Sequence, residues 1–298
     1  APVICDIEVD GKRIKAVVAP SKQGFTYVFD RATGEPVWPI EERPVPQSMV
    51  PGEQTSPTQP FPTLPEPYIR QGVTEDDLID FTPELRAEAL EIAQQYTLGP
   101  LYTPPTLFGE DGKRGVIQAP SAAGGINWGG GGYDPETDML YIEASNAYSL
   151  AHVSPGNKDR GVQADYLQLG PRVVNGPQGL PLLKPPYSVV VGLSLRTGKV
   201  VWNVPHGQGP TDHPAIKDLN LGPLGWPSHG MLSSGGPLVT KTLVFVNQVQ
   251  IGPDFVSPSK ELYMRAFDKE TGQIHWEYLM DTPPYGTPMT YMHEGKQY

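Results

Sequence analysis

The sequence has little cysteine, no long apolar run and few basic residues, and each shortage excludes a class of protein. Its one cysteine, Cys5, excludes an internal disulfide or a thiolate cluster within these 298 residues. No run of 18 apolar residues is present, so we expect no membrane-spanning helix, and no signal peptide is visible. Acidic residues outnumber basic ones by 33 to 22, and the net charge of −11 argues against a nucleic-acid binder.

Glycine and proline, in contrast, are abundant, at 33 and 35 residues. The chain also has 14 tyrosines and 5 tryptophans, which are scarce in disordered proteins. This composition favours an ordered fold of many short strands joined by long irregular loops.

One phrase recurs three times along the chain, in residues 27–38, 191–202 and 264–276. In each copy an alternating apolar run is followed by T-G-x-x-x-W, which ends at Trp38, Trp202 and Trp276. A degenerate copy in residues 133–145 keeps the turn but lacks the glycine and the tryptophan. The spacing of the first two full copies is about twice that of the last two, so we expect this degenerate copy to be a separate repeat.

The physical meaning of the phrase is a strand, a tight turn and a second strand. Alternation of apolar residues predicts half-buried strands, and glycine accepts the positive φ that a tight turn needs. The indole is large and flat, which suits it to the space between adjacent sheets. A four-stranded sheet repeated radially is a β-propeller blade; the alternative is a β-sandwich with similar hairpins.

Further strands are predicted where blades need them, in residues 13–19, 115–118, 188–194, 237–248 and 290–298. The total is three blades and part of a fourth, in an all-β fold. Known propellers close with more blades, and unpaired sheet edges are avoided in natural proteins. The sequence is therefore either a part of a propeller, which we favour, or a chain that closes on itself in another way. Residues 1–298 are predicted to form one such partial domain.

Residues 41–100 are predicted to be an insertion between blades. It starts with a proline-rich loop, and an amphipathic helix then begins at Thr82-Pro83-Glu84 and ends at Gly99-Pro100. The helix has one apolar stripe, formed by Leu85, Ala89, Ile92, Ala93 and Tyr96. Two further loops, residues 150–186 and 203–230, are expected to build the rim of a site.

Three segments go beyond a generic propeller. Residues 19–48 contain APSKQGFTYVFDRATGEPVW, residues 119–145 contain APSAAGGINWGGGGYDPETDMLYIEAS, and residues 265–298 end in GTPMTYMHEGKQY. All three resemble the membrane glucose dehydrogenase family that uses pyrroloquinoline quinone (PQQ), and the resemblance covers essentially the whole chain. It implies an eight-bladed propeller with PQQ over the central axis, of which this chain is the C-terminal part.

The resemblance also implies three cofactor-binding residues. Lys22 matches the family's lysine at the PQQ ring, and Asn127 and Trp128 match an asparagine and a tryptophan at the cofactor. A cation suits a quinone because negative charge grows on its oxygens when it accepts a hydride. Taken without the resemblance, Lys22 is an ordinary turn lysine, Asn127 a turn residue and Trp128 a packing indole.

Other parts of the family's machinery match nothing in these residues. The general base, an aspartate, is expected upstream of Ala1, and the ligands of the Ca²⁺ ion are also expected outside this chain. The 298 residues alone are therefore expected not to turn over substrate. The resemblance further implies a sugar or alcohol substrate, a quinone electron acceptor, a location on the periplasmic side of the bacterial inner membrane, and membrane association through an N-terminal part.

The six histidines do not form a recognisable metal motif, because no pair has the spacing of H-E-x-x-H. His206, His213 and His229 are candidates for lining the substrate mouth. Asp134, Asp138 and Glu143 lack the dense oxygen loop of known calcium sites. No metal ligand is therefore assigned within the chain.

Two other functions compete with a sugar or polyol dehydrogenase. A quinohaemoprotein alcohol dehydrogenase often has a C-x-x-C-H haem segment, which these residues lack. A non-catalytic propeller scaffold of the cell envelope shares the T-G-x-x-x-W repeat, but lacks the S-K-x-G and G-G-x-N-W segments.

Overall fold

The computed structural model describes residues 1–168, 174–227, 235–248, 262–284 and 286–298. Strands account for most of the regular structure there, and the α-helix α1 spans Pro83–Ala93. In chain order the strands are β1 (Val3–Val9), β2 (Lys12–Pro20), β3 (Thr26–Asp30), β4 (Ile40–Pro44), β5 (Thr58–Pro62), β6 (Gly72–Val73), β7 (Gly99–Pro100), β8 (Thr106–Leu107), β9 (Val116–Gln118), β10 (Gly131–Asp134), β11 (Met139–Ser145), β12 (Ser149–Pro155), β13 (Tyr166–Gln168), β14 (Ser188–Ser194), β15 (Val200–Pro205), β16 (Leu238–Val239), β17 (Leu243–Gln248), β18 (Tyr263–Asp268), β19 (Ile274–Leu279), β20 (Met292–His293) and β21 (Lys296–Gln297).

Three antiparallel sheets form the framework of the molecule. Their strand orders are β1-β2-β3, β10-β11-β14-β15 and β16-β17-β18-β19. Strand β10 contacts both β1 and β16, so the first strands of the three sheets lie side by side. This arrangement is that of successive propeller blades, and the predicted all-β propeller is confirmed.

The second sheet corrects the prediction of a separate degenerate repeat. Residues 133–145 form part of the hairpin β10-β11, and β11 pairs with β14, which carries the second T-G-x-x-x-W phrase. The two hairpins are halves of one sheet, separated by the long segment 146–187. The wide spacing of the first two tryptophans comes from insertions. The prediction failed because sequence distance does not show which strands pair.

The sheets pack through apolar faces that alternate along each strand. Leu140, Ile142 and Ala144 of β11 are buried against the first sheet, whereas Tyr141 faces the third. Each sheet therefore presents one apolar face to each neighbour, as the period of two requires.

Trp202 fills the space between the second and third sheets, as predicted from the repeat. Its indole is 8% exposed and lies between Gly192 of its own sheet and Gly272 in a turn of the next. The indole Nε1–H donates to the Lys269 carbonyl at 2.9 Å. Trp38 is partly buried against the core of the first two sheets, and Trp276 is 46% exposed.

Helix α1 begins as predicted and ends earlier. The Thr82 hydroxyl accepts a hydrogen bond from the Leu85 amide, and Pro83 occupies the first turn. The predicted end at Gly99-Pro100 is wrong: the helix ends at Ala93, and Gly99–Pro100 form β7, which pairs with β6. Among the described residues, no helix has the length and apolar character needed to cross a bilayer.

The long connections leave the sheets at one end, which we call the loop end. Strands β2, β11 and β15 finish there, and β14 begins there. The Lys22 turn follows β2, the Asn127 loop precedes β10, and the segment 146–187 joins β11 to β14. The sheets thus hold all of these segments close together.

Candidate functional site

Lys22 lies in a tight turn that joins β2 to β3 at the loop end. The Gly24 amide donates to the Ser21 carbonyl at 3.0 Å, and the Ser21 amide donates to the Phe25 carbonyl at 2.8 Å. Gly24 has φ of +83°, which glycine adopts without the strain of a side chain. The Lys22 side chain is exposed, and among the described residues it has no carboxylate partner.

Asn127 and Trp128 lie in the loop that leads into β10. The Asn127 Oδ1 accepts a hydrogen bond from the Trp128 amide at 2.9 Å. The Gly130 amide donates to the Asn127 carbonyl at 3.2 Å and closes a turn. The Asn127 Nδ2 makes a long contact of 3.4 Å with the Ala123 carbonyl, so its amide retains capacity to donate. The Trp128 indole is 59% exposed and presents a flat apolar surface.

Main-chain hydrogen bonds bring the Lys22 turn and the Asn127 loop together. The Gly125 amide donates to the Lys22 carbonyl at 2.8 Å, and the Ser145 amide of β11 donates to the Gly125 carbonyl at 2.8 Å. A Cβ atom on Gly124 would lie 2.5 Å from the Lys22 Cβ, so only glycine allows this approach. The structure therefore places the three predicted residues on adjoining loops of one face.

A cleft of about 240 Å³ opens beside Lys22, and Lys22 is the charged residue in its lining. It is lined by Lys22, Gln23, Pro100, Leu101, Tyr102, Thr103, Ile117, Gln118, Ala119, Pro120, Ser121 and Ala122. Asn127 and Trp128 lie on the loop that continues from this lining but do not themselves line the cleft. The Ser121 hydroxyl oxygen is buried and has no hydrogen-bond partner among the described residues.

Sequence reasoning missed Ser121, although a signal for it was present. The hexapeptide A-P-S-x-x-G occurs twice, at residues 19–24 and 119–124. Both copies form the same turn, because the Gly124 amide donates to the Ser121 carbonyl at 2.7 Å just as Gly24 donates to Ser21. The two turns pack against each other.

A larger groove of about 800 Å³ lies between α1 and the segment that contains Arg70. Its half-buried Arg70 guanidinium is already paired, since the Arg70 Nε lies 2.9 Å from the Asp77 Oδ1. Its other cation, Lys113, donates to a main-chain carbonyl. Burial alone would raise the pKa of Asp77, but hydrogen bonds from Thr74 and Arg70 outweigh burial and hold that pKa below its usual value. The Lys22 cleft is therefore the better site for an anion, because its cation has no carboxylate partner among the described residues.

The histidines predicted at the substrate mouth are placed differently. His206 is fully buried between the second and third sheets, where its Nδ1 lies 3.1 Å from the Glu143 Oε1. It therefore does not face an open mouth, because it follows the buried face of β15. His213 contacts the Gln178 carbonyl on the surface, and His229 lies outside the described residues.

Glu143 and His206 belong to a polar patch at the loop end of this seam between sheets. On the third sheet the Arg265 guanidinium donates to the Gln248 side-chain carbonyl, and both residues are buried. Apolar side chains, among them Val190, Val244 and Phe267, pack in the same seam beside this patch. Within the described residues, no group of three or more His, Cys, Asp or Glu could hold a metal ion.

The residues at the loop end fit a flat anionic cofactor. Lys22 supplies a cation that has no carboxylate partner in the described part of the chain, and Asn127 supplies an amide donor with spare capacity. Trp128 supplies an exposed aromatic face on which a planar ring system can stack. Together these residues offer a planar anion a cation, a hydrogen-bond donor and a stacking surface on one face of the propeller.

Comparison with known proteins identifies the family. The family model of the PQQ-binding glucose/ethanol/alcohol dehydrogenase β-propeller domain matches residues 1–298, and the chain belongs to this family. It is 28% identical to the quinoprotein glucose dehydrogenase of Escherichia coli (strain K12), and the alignment covers 100% of the chain and 37% of that relative. It is 30% identical to a probable quinate dehydrogenase (quinone) of Xanthomonas campestris pv. juglandis, over 97% of the chain and 37% of the relative.

Solved structures support the fold. The europium-containing methanol dehydrogenase covers the whole chain with a TM-score of 0.55 at 17% identity, and the chain covers 38% of it. The chain thus spans well under half the length of the relatives it matches.

Proposed function

We propose that this chain is the cofactor-holding part of a PQQ-dependent dehydrogenase that oxidises the CH–OH group of a sugar or polyol. The observation that carries the proposal is the Lys22 ammonium, which lines a polar cleft and has no carboxylate partner among the described residues. Family membership supports the same chemistry. The electrons are proposed to pass to a quinone acceptor, on the periplasmic side of the bacterial inner membrane.

Each proposed cofactor-binding residue has a distinct role. When bound, PQQ supplies a two-electron acceptor for the substrate's hydride. Lys22 stabilises negative charge on the cofactor's oxygens, Asn127 donates a hydrogen bond from its amide, and Trp128 covers one face of the ring. The general base and the Ca²⁺ ligands are proposed to lie outside these 298 residues.

The test uses the full-length gene product, reconstituted with PQQ and Ca²⁺ and assayed on a sugar and polyol panel with an artificial dye acceptor. We expect PQQ-dependent turnover in the wild type and a loss of about 100-fold in kcat for Lys22→Ala, since a cation aimed at developing charge contributes on that order. Lys12→Ala removes an exposed lysine at the opposite end of β2 and is expected to match the wild type. PQQ binding is followed separately by quenching of tryptophan fluorescence.

Two results would overturn the proposal. One is a wild-type protein that does not bind PQQ, which would favour a non-catalytic propeller scaffold. The other is equal loss of activity in Lys12→Ala and Lys22→Ala, which would reduce Lys22 to a surface charge.

A further inference from the structure

Two A-P-S-x-x-G turns pack against each other at the loop end, and each places a serine at its first position. Ser21 precedes Lys22 in one turn, and Ser121 precedes Ala122 in the other. The hydroxyl oxygens of both serines are buried without a hydrogen-bond partner among the described residues. Only Ser121 lines the cleft that Lys22 also lines.

A buried hydroxyl without a partner is unfavourable, because it loses its hydrogen bonds to water and gains none. Ser121 is 6% exposed, and its main-chain groups are engaged with Ala147 and Gly124. The backbone therefore fixes the position of a buried hydroxyl in the wall of the cleft.

The lining of the cleft specifies the charge of that group. Among the residues that the structure describes, Lys22 is the one charged residue in the lining, and no carboxylate lines the cleft beside it. A ligand that satisfies an ammonium and a hydroxyl donor together must present acceptor oxygens and negative charge. A carboxylate has both, since its two oxygens can accept from two donors at once.

We infer that Ser121 is a binding residue that, with Lys22, holds a carboxylate in this cleft. The inference rests on the proposed function and deepens it. The carboxylate has two possible sources with the same chemistry: PQQ, which carries carboxylates on its rings, or an acidic substrate such as quinate.

The experiment compares Ser121→Ala with Ser121→Thr, which keeps the hydroxyl, in the full-length gene product. Ser21→Ala is the matched control, because it removes an equally buried hydroxyl from the equivalent turn position outside the cleft. The dissociation constant of PQQ is measured by fluorescence quenching. With PQQ saturating, quinate is measured by its KM, or by its inhibition constant if it is not oxidised, beside the KM of glucose or of another neutral sugar that is turned over.

If PQQ provides the carboxylate, its dissociation constant rises about tenfold in Ser121→Ala, the size expected for one hydrogen bond to a charged group. The constants for quinate and the neutral sugar then stay unchanged. If the substrate provides it, the quinate constant rises about tenfold while those of PQQ and the neutral sugar stay the same. In either case Ser121→Thr retains most of the binding and Ser21→Ala matches the wild type.

A stability measurement separates binding from folding. Without PQQ, the melting temperature of Ser121→Ala is expected to equal or exceed that of the wild type, because the substitution removes an unsatisfied buried hydroxyl. Ser121→Ala constants that all lie within twofold of the wild type, or an equal loss in Ser21→Ala, would overturn the inference and leave the proposed function standing. A wild type that fails to bind PQQ would instead overturn the proposed function.

Discussion

At the scale of single residues, the position of the Trp202 indole depends on the space that two neighbouring glycines leave open. A Cβ atom on Gly192 would lie 2.5 Å from the Trp202 Cε2, and one on Gly272 would lie 2.7 Å from the Cε3. The indole therefore occupies space that both glycines leave open. Gly272 and Trp202 both belong to copies of the T-G-x-x-x-W phrase, so the repeat points to them. Gly192 lies ten residues before the indole and outside the phrase.

We predict that Gly192→Ala destabilises the protein by about 1–3 kcal/mol, because the added methyl group overlaps the indole. This sign is opposite to the usual gain from replacing glycine within a strand. In a Trp202→Leu background the same substitution is expected to cost little, since the obstacle is gone. Urea unfolding of the two single variants and the double variant measures the coupling.

Gly222→Ala is the control, because a Cβ atom there meets no atom within 4 Å. Additive effects of Gly192→Ala and Trp202→Leu would show that the two residues do not compete for the same space.

At the scale of elements, helix α1 shows what local sequence can predict. Its start follows from Thr82 and Pro83 alone, since capping involves atoms within one turn. Its end does not, because Gly99–Pro100 pair with Gly72–Val73 nearly 30 residues away. The apolar stripe is still found, with Leu85, Ala89 and Ala93 buried.

We predict that Thr82→Ala lowers the free energy of unfolding by about 1 kcal/mol, the usual cost of losing an N-cap. Thr82→Ser keeps a hydroxyl that can accept from the Leu85 amide, and should stay close to the wild type. Chemical denaturation checks both variants. Equal losses in the two would mean that the threonine methyl group, and not the cap, is responsible.

The candidate site also has one part that local sequence predicts and one part that it does not. The turn at Lys22 was predictable, because serine, lysine and a positive-φ glycine lie within four residues. Its contact with Gly125 joins residues about a hundred positions apart, and no periodicity indicates such a contact. Lys22, Asn127 and Trp128 were predicted from family resemblance and stay a prediction, whereas Ser121 was noticed only when the two turns were seen together.

At the scale of the whole molecule, a buried ion pair joins the second and third sheets away from the loop end. The Lys269 Nζ lies 2.5 Å from the Asp134 Oδ2, and both side chains are less than a tenth exposed. Burial alone would raise the pKa of Asp134, but hydrogen bonds from Lys269 and Thr137 outweigh burial and hold it below its usual value. This carboxylate therefore stabilises the packing of two sheets only while it is ionised.

A lowered pKa in the folded state gives stability that is complete above the unfolded pKa of about 4 and is lost as the pH falls through the folded value. We predict that Asp134→Asn costs about 3 kcal/mol at neutral pH, because the buried Lys269 ammonium loses its carboxylate and keeps only main-chain carbonyls as partners. The variant's stability should also fall less steeply than the wild type's below about pH 4. Urea unfolding across this pH range measures both effects.

Glu136→Gln changes an exposed carboxylate in the same turn and serves as the control. An Asp134→Asn slope identical to that of the wild type would mean that other carboxylates account for the acid sensitivity.

The hydrogen bonds that join the Lys22 turn to β11 run between main-chain atoms, through Lys22, Gly125 and Ser145. Every residue except proline supplies the same backbone amide and carbonyl. Mutation at Ala122, which lines the cleft in the second turn, can therefore change what the cleft recognises without loosening these hydrogen bonds. Related proteins can in this way differ in ligand specificity while they share the same framework.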